Sequence, residues 1–239
     1  QMNKHTRIIR KDYKTDKEIC IVIPSAGVGR RMKSYGPKSL IKLHHNQTIL
    51  QGQLNSIENT FSNYRVILVC GFQADKLMSE SPKNIIKIEN EFFDTTNVIR
   101  SIAMGLRAVD SENVMILYGD LVFNEAALQE LDYSFSCTSI SKDTMGEGEV
   151  GCVINDSGYL EHMMYDLPLK WNQMIYLEGK ELEYFKDLAY NKKNKKLFGF
   201  EIINKVIEKG GKIKCIQNDK IKVIDIDTSK DIAKAAKIK

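Results

Sequence analysis

The 239 residues predict an α/β protein with a mostly parallel, Rossmann-like sheet, helices on both faces and a small inserted lobe. Three observations carry this. Residues 18–24, 64–71 and 113–120 are apolar without alternation, as strands covered on both faces are. Longer amphipathic stretches separate them, the order that builds strand–helix–strand crossovers. No Pro/Ser-rich linker and no internal repeat divides the chain, so residues 18–239 read as one domain behind a polar arm over 1–17.

EICIVIP (18–24) is the first strand, and SAGVGRRMKSYGPKS (25–39) a glycine loop whose proline bars helix at Gly36. TILQGQLNSIENTF (48–61) sets Ile49, Leu50, Leu54, Ile57 and Phe61 at helical spacing. A strand over 64–71, a short helix over 73–80 and a strand over 84–90 follow. Residues 96–109 are helical, with Ile99, Ile102, Ala103 and Leu106 on one face. NVMILYGD (113–120) is a buried strand ending on an acid, followed by a helix over 125–133 and a strand over 136–141. Residues 149–166 form a hairpin turning at Asp156-Ser157-Gly158, inside a more antiparallel insertion over 145–180. Helices over 181–196 and 199–211, strands over 212–217 and 222–227, and a helix from Ser229 close the chain.

Composition excludes several functions. Thirty-five Lys and Arg against 31 Asp and Glu leave +4, too even for a nucleic-acid coat, yet compatible with one local anion site. Five scattered cysteines with no CxxC pair argue against structural zinc and a disulfide framework, and for a reducing cytoplasm. No apolar stretch is long enough to span a membrane, and the first residues lack the apolar core of a secretory signal.

The chemistry gathers at strand ends, where α/β sheets bind ligands. Small residues and glycines in Ser25-Ala26-Gly27-Val28-Gly29 let backbone N–H groups approach an anion, and Arg30, Arg31 and Lys38 add positive charge. The dinucleotide fingerprint fails because Met32 stands at the third glycine. The P-loop GxxxxGK[ST] fits Gly27 to Ser34 except for the same Met32, which leaves a P-loop phosphotransferase as one reading. A plain glycine turn with solvated arginines is the bland one. Asp120 suits Mg²⁺, since hard cations choose carboxylate oxygen, or caps the next helix. Asp225 and Asp227, two apart on a strand, point to one side as metal ligands, or belong to a strand–helix turn.

IPSAGVGRRMKSYGPKSLIKL resembles the signature of the nucleotidyltransferases that make nucleotide-activated sugars, alcohols and polyols: a small-Ala-Gly-x-Gly-x-Arg-Met run, then Pro-Lys. QTILQGQLNSI is similar to cytidylyltransferases acting on methylerythritol phosphate, and DTTNVIRSI resembles the TNNxxSL segment of phosphocholine cytidylyltransferases, with Val98 at its second Asn. VMILYGDLVF and VIDIDTSKDIAKA resemble the family's two metal-binding segments, and the likeness spans roughly residues 19–236. It implies the nucleotide-diphospho-sugar transferase-like fold and transfer of a nucleotidyl group, with CTP favoured, to a small phosphorylated acceptor such as phosphocholine, phosphoglutamine or aminoethylphosphonate. Pyrophosphate is released, Mg²⁺ is the cofactor, and surface or capsule polysaccharide synthesis is the setting. It also implies Lys38 on the α-phosphate, Arg31 on the β- and γ-phosphates, Gly27 and Gly29 as backbone contacts, and Ala26, Asn97 and Ser101 around the base, with Asp120 and Asp227 on the metal. Trp171, Tyr165 and Tyr176 are candidates to cage a quaternary ammonium, and Lys170 to face the acceptor phosphate; each is otherwise an ordinary core aromatic or a solvated lysine. A sugar-1-phosphate nucleotidyltransferase using UTP or another NTP, a silent nucleotide-binding protein and a homodimer stay open.

Overall fold

The computed structural model describes residues 12–43 and 46–238. Most of the expected arm, residues 1–11, lies outside them, as do His44 and His45. From Asp12 on, that arm is tied down: Lys14 N donates to Thr60 O at 3.0 Å, and Lys17 Nζ donates to Tyr133 O and Glu178 Oε2.

β1 (Ile19–Ser25) is buried up to its last residue. Cys20 and Val22 enter one core while Ile19, Ile21 and Ile23 enter another on the opposite face, which is why the run is unbroken by polar residues. The loop after it winds into two 3-10 turns, Arg30–Tyr35 and Lys38–Leu40, on either side of Gly36-Pro37. α1 (Ile49–Thr60) starts at Thr48, whose hydroxyl accepts from Gln51 N while the Gln51 side chain accepts from Thr48 N. β2 (Tyr64–Cys70), α2 (Ala74–Glu80), β3 (Ile86–Glu89), α3 (Val98–Ala108) and β4 (Asn113–Leu117) follow as the sequence predicts.

The second half departs from expectation in five places. β5 (Leu121–Phe123) directly follows the acid at 120, and α4 (Ala126–Gln129) is shorter than the helix predicted over 125–133. It stops where Leu131 and Tyr133 turn into the core and the Tyr133 hydroxyl donates to Leu128 O at 2.6 Å. β6 (Cys137–Ser141), β7 (Val150–Ile154) and β8 (Leu160–Tyr165) are as expected, β7 and β8 forming the hairpin. β9 (Leu169–Glu178) has ten residues and was not foreseen as a strand. α5 (Gly179–Tyr190) ends before the lysine run, where Asn191 opens a separate 3-10 turn. α6 (Gly199–Glu208) and β10 (Lys214–Ile216) precede β11 (Val223–Asp225), which leaves the main sheet to pair with β5 in a small antiparallel one. α7 (Ser229–Ala235) is last.

The nine-stranded main sheet runs β10-β6-β9-β4-β1-β2-β3, with β7 and β8 off that line. β3, β2, β1 and β4 are parallel; β9 is antiparallel to both β4 and β6. The stretch over 145–180 therefore divides: β7 and β8 stand outside the line, whereas β9 is one of its inner strands. α3, α5 and α6 contribute to the core on one face, α1, α2 and α4 to that on the other. The connection order reverses between β1 and β4, so the loops leaving their carboxyl ends part there and open a crevice. Among the described residues no helix is long and apolar enough to cross a membrane.

Candidate active site

Residues Ser25–Arg30 leave β1, and Tyr118–Asp120 leave β4, on the two sides of that crevice. Between them lies a cavity of about 730 Å³ lined by Ser25, Ala26, Gly27, Val28, Gly29, Arg30, Lys38, Asn97, Ser101 and Asp120. All the residues expected to hold the nucleotide, except Arg31, thus face one space. Met32, which broke both phosphate-loop spacings, is buried against Ile41, Ile49, Ile226 and Ala235 and pins the turn to the small core beneath. Lys33, on which a P-loop reading depends, is exposed and lines neither this cavity nor its neighbour.

Lys38 is the electrostatic centre. Its Nζ lies 3.3 Å from Asp120 Oδ2 and 3.7 Å from Asp227 Oδ1, and Arg31 Nη1 lies 2.8 Å from Asp227 Oδ2. Desolvation in the crevice pushes the Asp120 carboxyl above the usual carboxylate range; Lys38 opposes this and Asp225 adds to it. The helix-capping alternative for Asp120 fails, because β5 follows it and its carboxylate accepts from Lys38. Asp227 is likewise no cap. The Asp231 carboxylate accepts from Asp227 N at 3.0 Å and Thr228 N at 2.7 Å, leaving the Asp227 carboxylate to the cations.

Asp225 and Asp227 do not act from one strand face as the sequence suggested. β11 ends at Asp225, and the chain turns through the buried Ile226. Asp225 Oδ1 consequently sits 3.6 Å from Lys170 Nζ, which also lies 3.7 Å from Glu149 Oε1. Lys170 is not a solvated lysine: it is 8% exposed.

Among the described residues no group of three or more His, Cys, Asp or Glu side chains gathers as a metal site. Magnesium, however, usually takes one or two carboxylates and completes its shell with water and substrate phosphate oxygens. Asp120 and Asp227, converging on one ammonium from two chain segments, form such a donor pair. Asp225, near enough to Asp120 to raise its carboxyl, is held by Lys170.

Val98, Tyr118 and Phe198 also line a second cavity of about 1190 Å³, together with Arg31, Tyr165, Lys170, Trp171, Asp225 and Asp227. Three of the four acceptor candidates thus face it. Tyr176 does not: it is fully buried in the opposite core, edge-on to Tyr133, with its hydroxyl donating to Glu178 Oε2 at 2.6 Å. Trp171 is nearly buried, T-shaped to Tyr118, and its Nε1 donates to Thr138 Oγ1 at 2.9 Å, so little of it is open to the cavity. Tyr165 is 41% exposed and packs on Phe200, which stacks with Phe198. These phenylalanines had no motif to mark them.

Asn97 caps α3: its Oδ1 accepts from Val98 N at 2.9 Å and its Nδ2 donates to Lys196 O at 3.1 Å. Both ends of that amide are thereby engaged. Ser101 is buried and accepts at 2.9 Å from Asn90 Nδ2, a buried residue at the end of β3 that sequence reasoning missed and that lines the same cavity.

Residues 21–136 match the MobA-like NTP transferase domain family. The chain is 31% identical over 96 residues to a 2-C-methyl-D-erythritol 4-phosphate cytidylyltransferase from Colwellia psychrerythraea; the match takes in 38% of this chain and 37% of that enzyme's length. Among solved structures, a CTP:phosphocholine cytidylyltransferase from Streptococcus pneumoniae superposes with a TM-score of 0.76 at 14% identity, covering 92% of this chain and 98% of the other. An inositol-1-phosphate CTP transferase from T. maritima gives 0.74 at 15% identity, covering 94% and 98%. A UDP-glucose pyrophosphorylase complexed with UDP-glucose gives 0.71 at 12% identity, covering 92% and 97%. Residues 21–136 thus match the NTP transferase domain family, and the chain as a whole shares the fold of these enzymes.

Proposed function

We propose that this protein is a Mg²⁺-dependent nucleotidyltransferase that transfers CMP from CTP to a small phosphorylated acceptor and releases pyrophosphate. The observation that carries the reading is Lys38, held between the Asp120 and Asp227 carboxylates at the mouth of the glycine-loop cavity. A phosphate oxygen of the acceptor attacks the α-phosphorus of the triphosphate, and the bond from that phosphorus to the pyrophosphate oxygen breaks. Two polyanions must be brought together, so catalysis is chiefly positioning and charge stabilisation. Backbone N–H groups from Gly27 to Gly29 and the Arg31 guanidinium take the β- and γ-phosphates, and the Lys38 ammonium neutralises the α-phosphate as it becomes five-coordinate. Asp120 and Asp227 would hold Mg²⁺, which when bound supplies positive charge to the phosphate oxygens.

The base lies toward Ala26, Asn90 and Ser101, and the likeness to enzymes that use CTP favours cytosine. The acceptor occupies the second cavity, its phosphate toward Lys170 and its other end toward Tyr165, Phe198 and Phe200. Phosphocholine, phosphoglutamine and aminoethylphosphonate are the acceptors of choice, in the setting of bacterial surface or capsule polysaccharide.

Pyrophosphate release from CTP, UTP, GTP and ATP, with Mg²⁺ and a panel adding methylerythritol phosphate and glucose 1-phosphate to those acceptors, tests the proposal. Release with CTP and one phosphorylated acceptor is expected. Release with UTP and a sugar phosphate would shift the substrate, ADP as product would favour a phosphotransferase, and silence from folded protein would sink the enzyme reading. Lys38→Ala is expected to abolish turnover without unfolding, and Asp120→Ala and Asp227→Ala each to remove it or raise the Mg²⁺ requirement.

A further inference from the structure

The acid at 120 sits on a turn whose carbonyls are each claimed by another part of the chain. Gln53, on the buried face of α1 and 2% exposed, donates from Nε2 to Tyr118 O at 3.0 Å and to Leu121 O at 2.9 Å, bracketing Gly119-Asp120. Ser39 Oγ donates to Gly119 O at 2.9 Å, and the Ser25 hydroxyl is bonded to Ser39 at 2.8 Å. Ile226 N donates to Asp120 O at 3.0 Å. Ser39 adjoins Lys38 and Ile226 adjoins Asp227, so the turn is fastened beside both of the groups its carboxylate works with. Gly119 leaves room for this closeness, since a Cβ there would overlap the Ser25 hydroxyl.

Gln53 itself does not reach the crevice: it lines a cavity on the other side of the turn, between α1, β5 and α7. Its Oε1 has no hydrogen-bond partner among the described residues. A buried amide acceptor left unmade is a standing cost. A core helix position of this kind takes Leu or Met without that cost, so what glutamine uniquely contributes here is its two N–H donors.

We infer that Gln53 is a positioning residue: its carboxamide clamps the Tyr118–Leu121 turn and so fixes where the Asp120 carboxylate stands relative to Lys38 and Asp227. The inference rests on the reading of Asp120 given under the proposed function. Gln53 touches no substrate; it acts through the backbone on either side of the acid. Outer residues that orient ligating groups commonly change affinity or activity about 10–100-fold when replaced.

Gln53→Met keeps the shape and removes both donors; Gln53→Glu keeps the shape and sets oxygens against the two carbonyls. Each is compared with the full wild-type chain by thermal melting, by steady-state pyrophosphate release at varied Mg²⁺ and CTP, and by Mn²⁺ titration in the presence of CTP, read by electron paramagnetic resonance. Both folded variants are expected to lose about 10–100-fold in kcat and to bind Mn²⁺ at least about 10-fold more weakly, with the KM for CTP changed less than about threefold. Wild-type kcat and Mn²⁺ affinity in folded Gln53→Met would overturn the inference, as would a loss confined to melting temperature. If Gln53→Met does not fold, Ser39→Ala, which frees Gly119 O, is read the same way, and unchanged Mn²⁺ affinity there counts against the clamp. If wild type releases no pyrophosphate, the proposed function fails separately. The Mn²⁺ comparison then still decides, equal or absent binding in wild type and variant overturning the inference.

Discussion

Gly29 has a left-handed backbone, φ 56, and lies directly beneath the Lys38 side chain: a Cβ built on it comes within 2.6 Å of Lys38 Cε. Any side chain there is strained by roughly 1–2 kcal/mol and pushes the ammonium off its two carboxylates. Gly29→Ala is therefore expected to reduce kcat by roughly 10²–10³-fold, approaching Lys38→Ala, and to melt about 2–8 °C lower than wild type. Steady-state rates for both variants check this, and a Gly29→Ala enzyme of normal kcat would refute the packing argument. Residues of this kind were legible because each sits in a short motif. Ser25 to Arg30, Lys38 and Asp120 were marked by their motifs and come to one crevice, while Arg31 and Asp227 line the cavity beside it. Gln53, Asn90 and Ser39 were not so marked, since each does its work on a carbonyl or a hydroxyl outside its own element. One signal did exist: Gln53 interrupts the apolar stripe Ile49, Leu50, Ile57 of α1, and a polar residue on a buried helix face asks for a partner.

α7 shows how an element can aim a side chain that it does not contain. Asp231, three residues into the turn that opens the helix, is raised by burial, yet the N–H groups of Thr228 and Asp227 outweigh this and hold its carboxyl below the usual range. Asp231→Ala is expected to remove about 1 kcal/mol of stability and to loosen the chain that carries Asp227. Urea unfolding measures the first, and a raised Mg²⁺ requirement in the turnover assay reports the second; a variant unchanged in both would show the cap to be idle. Strands with unbroken apolar runs were read correctly from sequence, because burial on both faces leaves a plain mark. β9 was missed for the opposite reason. Lys170, Asn172 and Gln173 interrupt its apolar residues, and each has a local cause that no periodicity encodes. Lys170 meets two carboxylates, Asn172 Nδ2 donates to Ser139 Oγ, and Gln173 takes φ 57 where the β6 pairing shifts register. β5, three residues long, is too short to show any pattern, and β11, expected over 222–227, spans only Val223–Asp225.

Across the whole molecule the cysteines report how completely the sheet is covered. Burial pushes the thiol of Cys20 up to about 11 and those of Cys70, Cys137 and Cys215 up to about 12. A folded-state value raised above the unfolded one, about 8.5, contributes stability that is complete below that pH and is lost as pH climbs toward the folded values. Melting temperature is accordingly expected to fall from about pH 8.5 to about pH 11. Ellman's reagent near neutral pH should find Cys20, Cys70 and Cys137 slow in the native protein and all five thiols quick in denaturant; rapid native reaction would mean that the faces open. At this scale the class of fold was legible and the connection order was not, because pairing between strands far apart in the chain leaves no local trace. That order has a consequence for the making of the protein. β6 pairs with β9 and β10, both of which come later, and β4 meets its second neighbour only when β9 arrives. As the chain leaves the ribosome, the half bearing Lys38 and Asp120 therefore waits with an open strand edge until residues 169–178 emerge to close it. A nascent chain stalled before residue 169 is the form most exposed to mispairing with its neighbours on the same message.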